Sequence, residues 1–113
     1  MAARPKSRLL DLEYQILEAS IALERDAEPV YGFALAKWLA SNRAGRDTLI
    51  GHGTLYKALA RLVKMGMLSA RWEELVEAGR PRRRLYDLTP DGVRAHAAMS
   101  SGVRPLALKG RLA

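Results

Sequence analysis

Gly53-Thr54-Leu55-Tyr56-Lys57-Ala58-Leu59-Ala60-Arg61-Leu62-Val63-Lys64-Met65 is the stretch that decides the fold. At 100° per residue, Leu55, Ala58, Leu59, Leu62, Val63 and Met65 gather on one side, while Gly53, Tyr56, Lys57, Ala60, Arg61 and Lys64 gather on the other. The spacing predicts a helix over 52–65 with an apolar inner face and a basic outer one. Gly66 follows where a left-handed residue is wanted to end it. A helix of this shape fits the major groove of duplex DNA, where its first turns meet base edges. Gly53 and Ala60 are small enough to let the backbone come close. Lys57, Arg61 and Lys64 can neutralise phosphates, and Thr54 and Tyr56 supply hydroxyls. His52, at the start, either joins this face or points inward. Taken alone, the stretch is equally a solvated amphipathic helix.

Working towards the C-terminus, Leu68, Ala70 and Trp72 alternate with Ser69, Arg71 and Glu73, and Tyr86 and Leu88 alternate around Asp87. Ala78-Gly79-Arg80-Pro81 lies between them as a turn signal, so the two runs read as an antiparallel hairpin with a long tip. The tip carries Arg80, Arg82, Arg83 and Arg84. Guanidinium groups crowded on a turn suit phosphate, which their planar fork binds bidentately, and they suit a narrow minor groove. A flexible solvated charge run is the competing reading. Thr89-Pro90-Asp91 then opens a last helix, with threonine as N-cap, proline at the first helical position and an acid at the positive end of the dipole. Its stripe of Val93, His96, Ala97, Met99, Ser100 and Val103 is weakly apolar, and Pro105 is expected to end or kink it.

Working towards the N-terminus, Thr48-Leu49-Ile50 is read as a short strand and Tyr31–Asn42 as a helix, with Gly32 allowing a neighbouring helix close approach. A first helix spans Leu9–Arg25. Leu9, Leu12, Ile16, Ala19 and Leu23 form one stripe and Leu10, Tyr14, Leu17 and Ile21 a second, so the helix should pack on two sides. The order helix, helix, short strand, helix, strand, strand, helix is that of a winged helix-turn-helix: mainly α, with a three-helix core, a β-hairpin wing and a C-terminal helix. The divisions are 1–8, a basic arm; 9–88, the winged helix; and 89–113, a C-terminal helix and tail able to serve dimerisation.

Composition agrees. The chain has 113 residues and a formal net charge of +7, enough for one domain whose partner is anionic. The absence of cysteine excludes disulfides, thiolate metal sites and cysteine nucleophiles and fits a cytoplasmic protein. Asp11 and Glu13 break the apolar stretch after the basic start, so no signal peptide is read, and no apolar run reaches membrane-spanning length. Catalysis finds no support: His52 and His96 are far apart without an acidic cluster, and Gly51-His52-Gly53 lacks the third glycine of a phosphate loop. No metal or cofactor is expected. Trp38 and Trp72 read as core and wing packing, or else as walls of a pocket for a small apolar effector.

The ordered set of motifs resembles the PadR family of bacterial transcriptional regulators. Val30-Tyr31-Gly32-Phe33-Ala34-Leu35 resembles the opening of that family's second helix, and Gly53–Leu62 its recognition helix. Gly66-Met67-Leu68, the wing Gly79-Arg80-Pro81-Arg82-Arg83-Arg84-Leu85-Tyr86, and Leu88-Thr89-Pro90-Asp91-Gly92 follow in the family's order. The resemblance covers about residues 9–95. It implies a dimeric repressor holding operator DNA by recognition helix and wing, with effectors that vary between members or are lacking; the two-fold symmetry of a dimer in turn calls for an inverted repeat. The C-terminal helix usually builds the dimer, but here the tail is short and interrupted by Pro105. The expected interface therefore pairs Leu10, Tyr14, Leu17 and Ile21 of one chain with Val93, Ala97, Ser100 and Val103 of the other. A winged helix that docks a protein, and a nonspecific nucleic-acid binder, are the alternative functions. The first would need aromatic or aliphatic anchors on the outer face of helix 52–65, where the sequence offers Lys, Arg and small residues.

Overall fold

The computed structural model describes residues 9–42, 50–74 and 78–102. The elements run α1 (Asp11–Arg25), α2 (Gly32–Asn42), α3 (His52–Lys64), β1 (Leu68–Trp72), β2 (Arg84–Leu88) and α4 (Pro90–Gly102). This is a winged helix-turn-helix: three helices around one core, a two-stranded antiparallel wing, and a closing helix. The core is made by Ile16 and Leu17 of α1, Leu35 and Leu39 of α2, Leu55, Leu59 and Leu62 of α3, and Leu68 and Tyr86 of the hairpin. Both stripes read on α1 contribute, Ile16 and Ala19 from the first and Leu17 from the second, because the helix packs against α2, α3 and α4 at once.

The hairpin pairs Leu68 with Leu88, Ala70 with Tyr86 and Trp72 with Arg84. A third backbone contact comes from the residue before α2: Tyr31 bridges Leu85, and the Tyr86 N–H donates to the Val30 carbonyl at 2.9 Å. The short strand expected at Thr48-Leu49-Ile50 falls mostly outside the described residues, and Ile50 itself is in no strand. The arm 1–8 and the tail with Val103 and Pro105 also lie outside them.

The turn between α3 and β1 is tied to the start of α4. Gly66 takes φ +79°, the left-handed residue expected there. Thr89 donates its hydroxyl to the Gly66 carbonyl at 2.7 Å and accepts the Gly92 N–H at 3.0 Å, so it is the N-cap of α4. This brings Gly92 against the turn: a Cβ there would lie 2.2 Å from the Met67 carbonyl oxygen, a backbone atom with no freedom to withdraw. Gly→Ala inside a helix ordinarily stabilises by about 0.5–1 kcal/mol. Here overpacking wins, and Gly92→Ala is expected to destabilise by about 1–3 kcal/mol. Thermal unfolding measures it; a melting temperature at or above wild type would show that the turn yields.

α4 lies differently from its sequence pattern. Gly92 is buried and Ala95, His96 and Ser100 turn towards the body, while Val93 and Ala97 face outward. Tyr14 of α1 stacks on His96 at 4.7 Å and its hydroxyl meets the Ser100 Oγ at 3.2 Å. The α1–α4 contact expected between two chains is thus made within one. Leu17 is fully buried in the core and cannot reach a second chain. Gly92 seats the start of α4 against the turn at Met67, and the helix then runs along α1 of its own chain.

Candidate nucleic-acid interface

The outer face of α3 is built as its sequence pattern requires. Leu55, Leu59 and Leu62 are buried, and His52, Gly53, Thr54, Tyr56, Lys57, Ala60 and Lys64 are exposed. His52 points out, edge-on to the Tyr56 ring at 5.3 Å. Gly32 makes room for Tyr56: a Cβ at Gly32 would sit 2.1 Å from the tyrosine hydroxyl. The start of α2 and the outer face of α3 therefore meet under one phenol, joining the two helices of the helix-turn-helix on the exposed side.

Arg61 departs from the expected set. It sits between the two faces of α3 and forms an ion pair with Glu13 of α1, whose side chain is only 1% exposed. The same Glu13 oxygen accepts the Leu10 N–H at 2.9 Å at the entry to α1. Arg61 thus directs its charge to α1 rather than presenting it outward with Lys57 and Lys64. Glu13 belongs to neither apolar stripe of α1, and its sequence position gives no sign of this role.

The wing arginines also divide. Glu73, the residue after β1, receives Arg80 at 3.0 and 3.3 Å and Arg83 at 2.7 Å through Nη2, and the Arg83 backbone N–H reaches it at 3.2 Å. Its own N–H donates to the Arg83 carbonyl at 2.9 Å, extending the ladder one step past Trp72 and Arg84. Arg83 first, then Arg80, hold the Glu73 carboxyl down to about 2. Arg83 also lies 4.3 Å over the Tyr31 ring, fastening the wing to the start of α2. Gly79, with φ +85°, makes the turn in the tip that returns the chain to Glu73. Of the cations assigned to DNA in the wing, Arg80 and Arg83 therefore shape it. Arg82 is exposed with no partner among the described residues, and Arg84 rests over Trp72 at 5.1 Å.

The tryptophans part company. Trp38 is half-buried and lines a groove of about 460 Å³ with Leu23, Tyr31, Phe33, Lys37 and Arg83; Trp72 is not among its walls. The groove carries charge, so it is not the purely apolar pocket considered from the sequence. Among the described residues no helix is long and apolar enough to cross a membrane, and no cluster of metal-ligating side chains is found.

Comparison with known proteins places this geometry. The model of the Transcriptional regulator PadR-like family matches residues 21–98. The chain is similar to the crystal structure of a PadR-like transcription factor from Bacteroides fragilis, at 28% identity and TM-score 0.66 over 90% of this chain and 89% of that one. It is similar to a PadR family transcriptional regulator from Eggerthella lenta at 29% identity and TM-score 0.59, covering 88% and 83%. A transcriptional regulator from Clostridium thermocellum shares the fold at 24% identity and TM-score 0.65, covering 87% and 90%. A search of curated proteins gives no match. With most of the winged helix matched by the family model, the chain belongs to the PadR-like family and is a DNA-binding transcriptional regulator rather than an enzyme.

Proposed function

We propose that the chain is a sequence-specific repressor whose residues 9–88 hold duplex DNA, α3 in the major groove and the 79–84 tip on the flanking phosphates or minor groove. The observation that carries this is the outer face of α3, where Lys57 and Lys64 stand exposed beside the small residues Gly53 and Ala60, and the large exposed ring among them, Tyr56, carries a hydroxyl. Thr54, Tyr56 and His52 stand at its N-terminal end, where base edges are met. The net charge of +7 supplies the nonspecific attraction. A protein acting on DNA in a bacterial cell works in the cytoplasm.

Selection of duplexes from a random pool tests specificity: an enriched sequence supports it, and recovery of the starting pool refutes it. For the wing, Arg82→Ala is expected to weaken the selected and a mixed-sequence duplex alike, since phosphate contacts carry no base information. The slope of log affinity against log salt should flatten by about one. An unchanged slope would remove Arg82 from the interface.

The regulator acts, on this reading, as a homodimer on an inverted repeat, because one winged helix alone covers too few base pairs for useful specificity. Leu10 at the N-cap of α1, 59% exposed, and Val93 of α4, 48% exposed, are apolar surface left for a second copy, together with partly exposed Ile21 of α1 and exposed Ala97 of α4. Tyr14 and Ser100 are engaged inside the chain and serve the interface only by holding α4 in place. Sedimentation equilibrium at micromolar concentration should give a dimer; a monomer that stays single on the selected duplex would overturn this part.

A further inference from the structure

Trp72 is a large apolar ring that neither the core nor the helix-turn-helix uses. It stands at the outer end of β1, 55% exposed. Strand alternation puts Leu68, Ala70 and Trp72 on one face of the hairpin, opposite Leu88, Tyr86 and Arg84. Near the base this face is buried in the core at Leu68 and Tyr86. Further out it runs off the body, and Trp72 and Arg84 continue it into solvent. Arg84 lies 5.1 Å from the ring centroid of its cross-strand partner.

The same face leads back to α3. Burial first, and then the Tyr56 phenol, push the Tyr86 phenol up, while the Arg84 charge acts the other way; Tyr86 and Arg84 stand two positions apart on the same face of β2. Tyr86, Arg84 and Trp72 thus form one row out along the wing, and the backbone at Val30 to Gly32, which accepts the Tyr86 N–H and lies against the Tyr56 hydroxyl, joins its base to the exposed face of the recognition helix. The end of the row is held in place: Glu73, next to Trp72, bonds Arg80 and Arg83 and extends the strand pairing by a step. An aromatic ring and a cation, ordered before any partner arrives, lose little freedom on binding.

We propose that Trp72, with Arg84 stacked on it, is a duplex-DNA contact in its own right: Arg84 takes a phosphate while the indole lies against the sugar edges of the adjoining groove. The inference rests on the DNA-binding reading of α3 and extends it. Continuity with the α3 face and the positive charge of Arg82 and Arg84 name DNA as the occupant. A guanidinium draws in the anionic backbone, and the ring then meets the carbon-rich deoxyribose beside it.

The test uses the full chain with Trp38→Phe, so that Trp72 is the sole tryptophan, titrated with the pool-selected duplex and a mixed-sequence duplex. Trp72 emission should change and saturate at the same duplex concentration as anisotropy. Trp72→Ala should lower affinity for both duplexes about tenfold while leaving the salt slope within about half a unit, since an apolar contact releases no counterion. Arg84→Ala should flatten the slope by about one, and Trp72→Phe should keep most of the affinity, with melting temperatures showing each variant folded. Wild-type binding with Trp72→Ala equally tight, or saturation without an emission change, overturns the inference and leaves the α3 reading standing. An emission change on raising protein concentration without DNA would reassign the ring to self-association and overturns it too. Failure of the wild-type chain to bind either duplex overturns both readings together.

Discussion

Leu59→Ala is expected to remove about 2–5 kcal/mol of stability, the cost of emptying a buried leucine site whose walls relax only in part. Leu59 is fully buried, and Leu55 and Leu62 flank it on the same face of α3. The cavity would open where α3 meets α1 and α2, in the middle of the single core. A domain of this size has about 5–15 kcal/mol in all, so the loss is a large fraction of the total. Lys57→Ala, two positions earlier, should behave in the opposite way. Its side chain is exposed, so unfolding should be unchanged within about 0.5 kcal/mol. DNA affinity should fall and the salt slope flatten by about one, the signature of a lost phosphate contact. Chemical denaturation and a salt-dependent binding titration on both variants measure this. A stable Leu59→Ala beside an unstable Lys57→Ala would mean that the faces of α3 are reversed.

The contrast holds because helix faces are legible in a sequence: a 3.6-residue period is a local property, and thirteen residues of α3 sample it three times over. The N-cap at Thr89 and the left-handed Gly66 are legible for the same reason, each being decided within a few residues. What escapes a sequence reading is decided by pairs distant along the chain. Glu13 and Arg61 are separated by 48 positions, and nothing in either neighbourhood marks them as partners. By angle Arg61 belongs to the outward face, yet its long side chain reaches sideways to α1. The wing differs from its sequence pattern in a similar way. A run of arginines at a turn reads as a phosphate clamp, but a single carboxylate opposite, Glu73, takes two of them, and that depends on how the tip folds back. The bridge from Tyr31 to Leu85 joins residues on either side of the whole helix-turn-helix, with no local pattern to announce it.

Arg61→Met then becomes the experiment in which the sequence expectation and the structure give opposite answers. Were Arg61 a phosphate contact, its loss would leave the melting temperature nearly untouched and flatten the salt slope by about one. In the structure Arg61 instead neutralises a carboxylate that is 1% exposed, and it joins α1 to the recognition helix. Removing one partner of a fully buried pair costs about 3–5 kcal/mol. Arg61 keeps a third of its side chain in solvent, so water can partly replace it, and about 2–3 kcal/mol is the expectation here. Affinity for DNA should fall as well, because α3 loses its fixed seat on α1, but the salt slope should stay where it was. Glu13→Gln added to Arg61→Met removes the stranded charge and keeps an acceptor for the Leu10 N–H, so the double variant should recover part of the lost stability. A double-mutant cycle on unfolding isolates that coupling, which is expected to exceed about 1 kcal/mol. A cycle that closes at zero, together with a flattened slope for Arg61→Met, would return Arg61 to the DNA face and leave Glu13 a bystander.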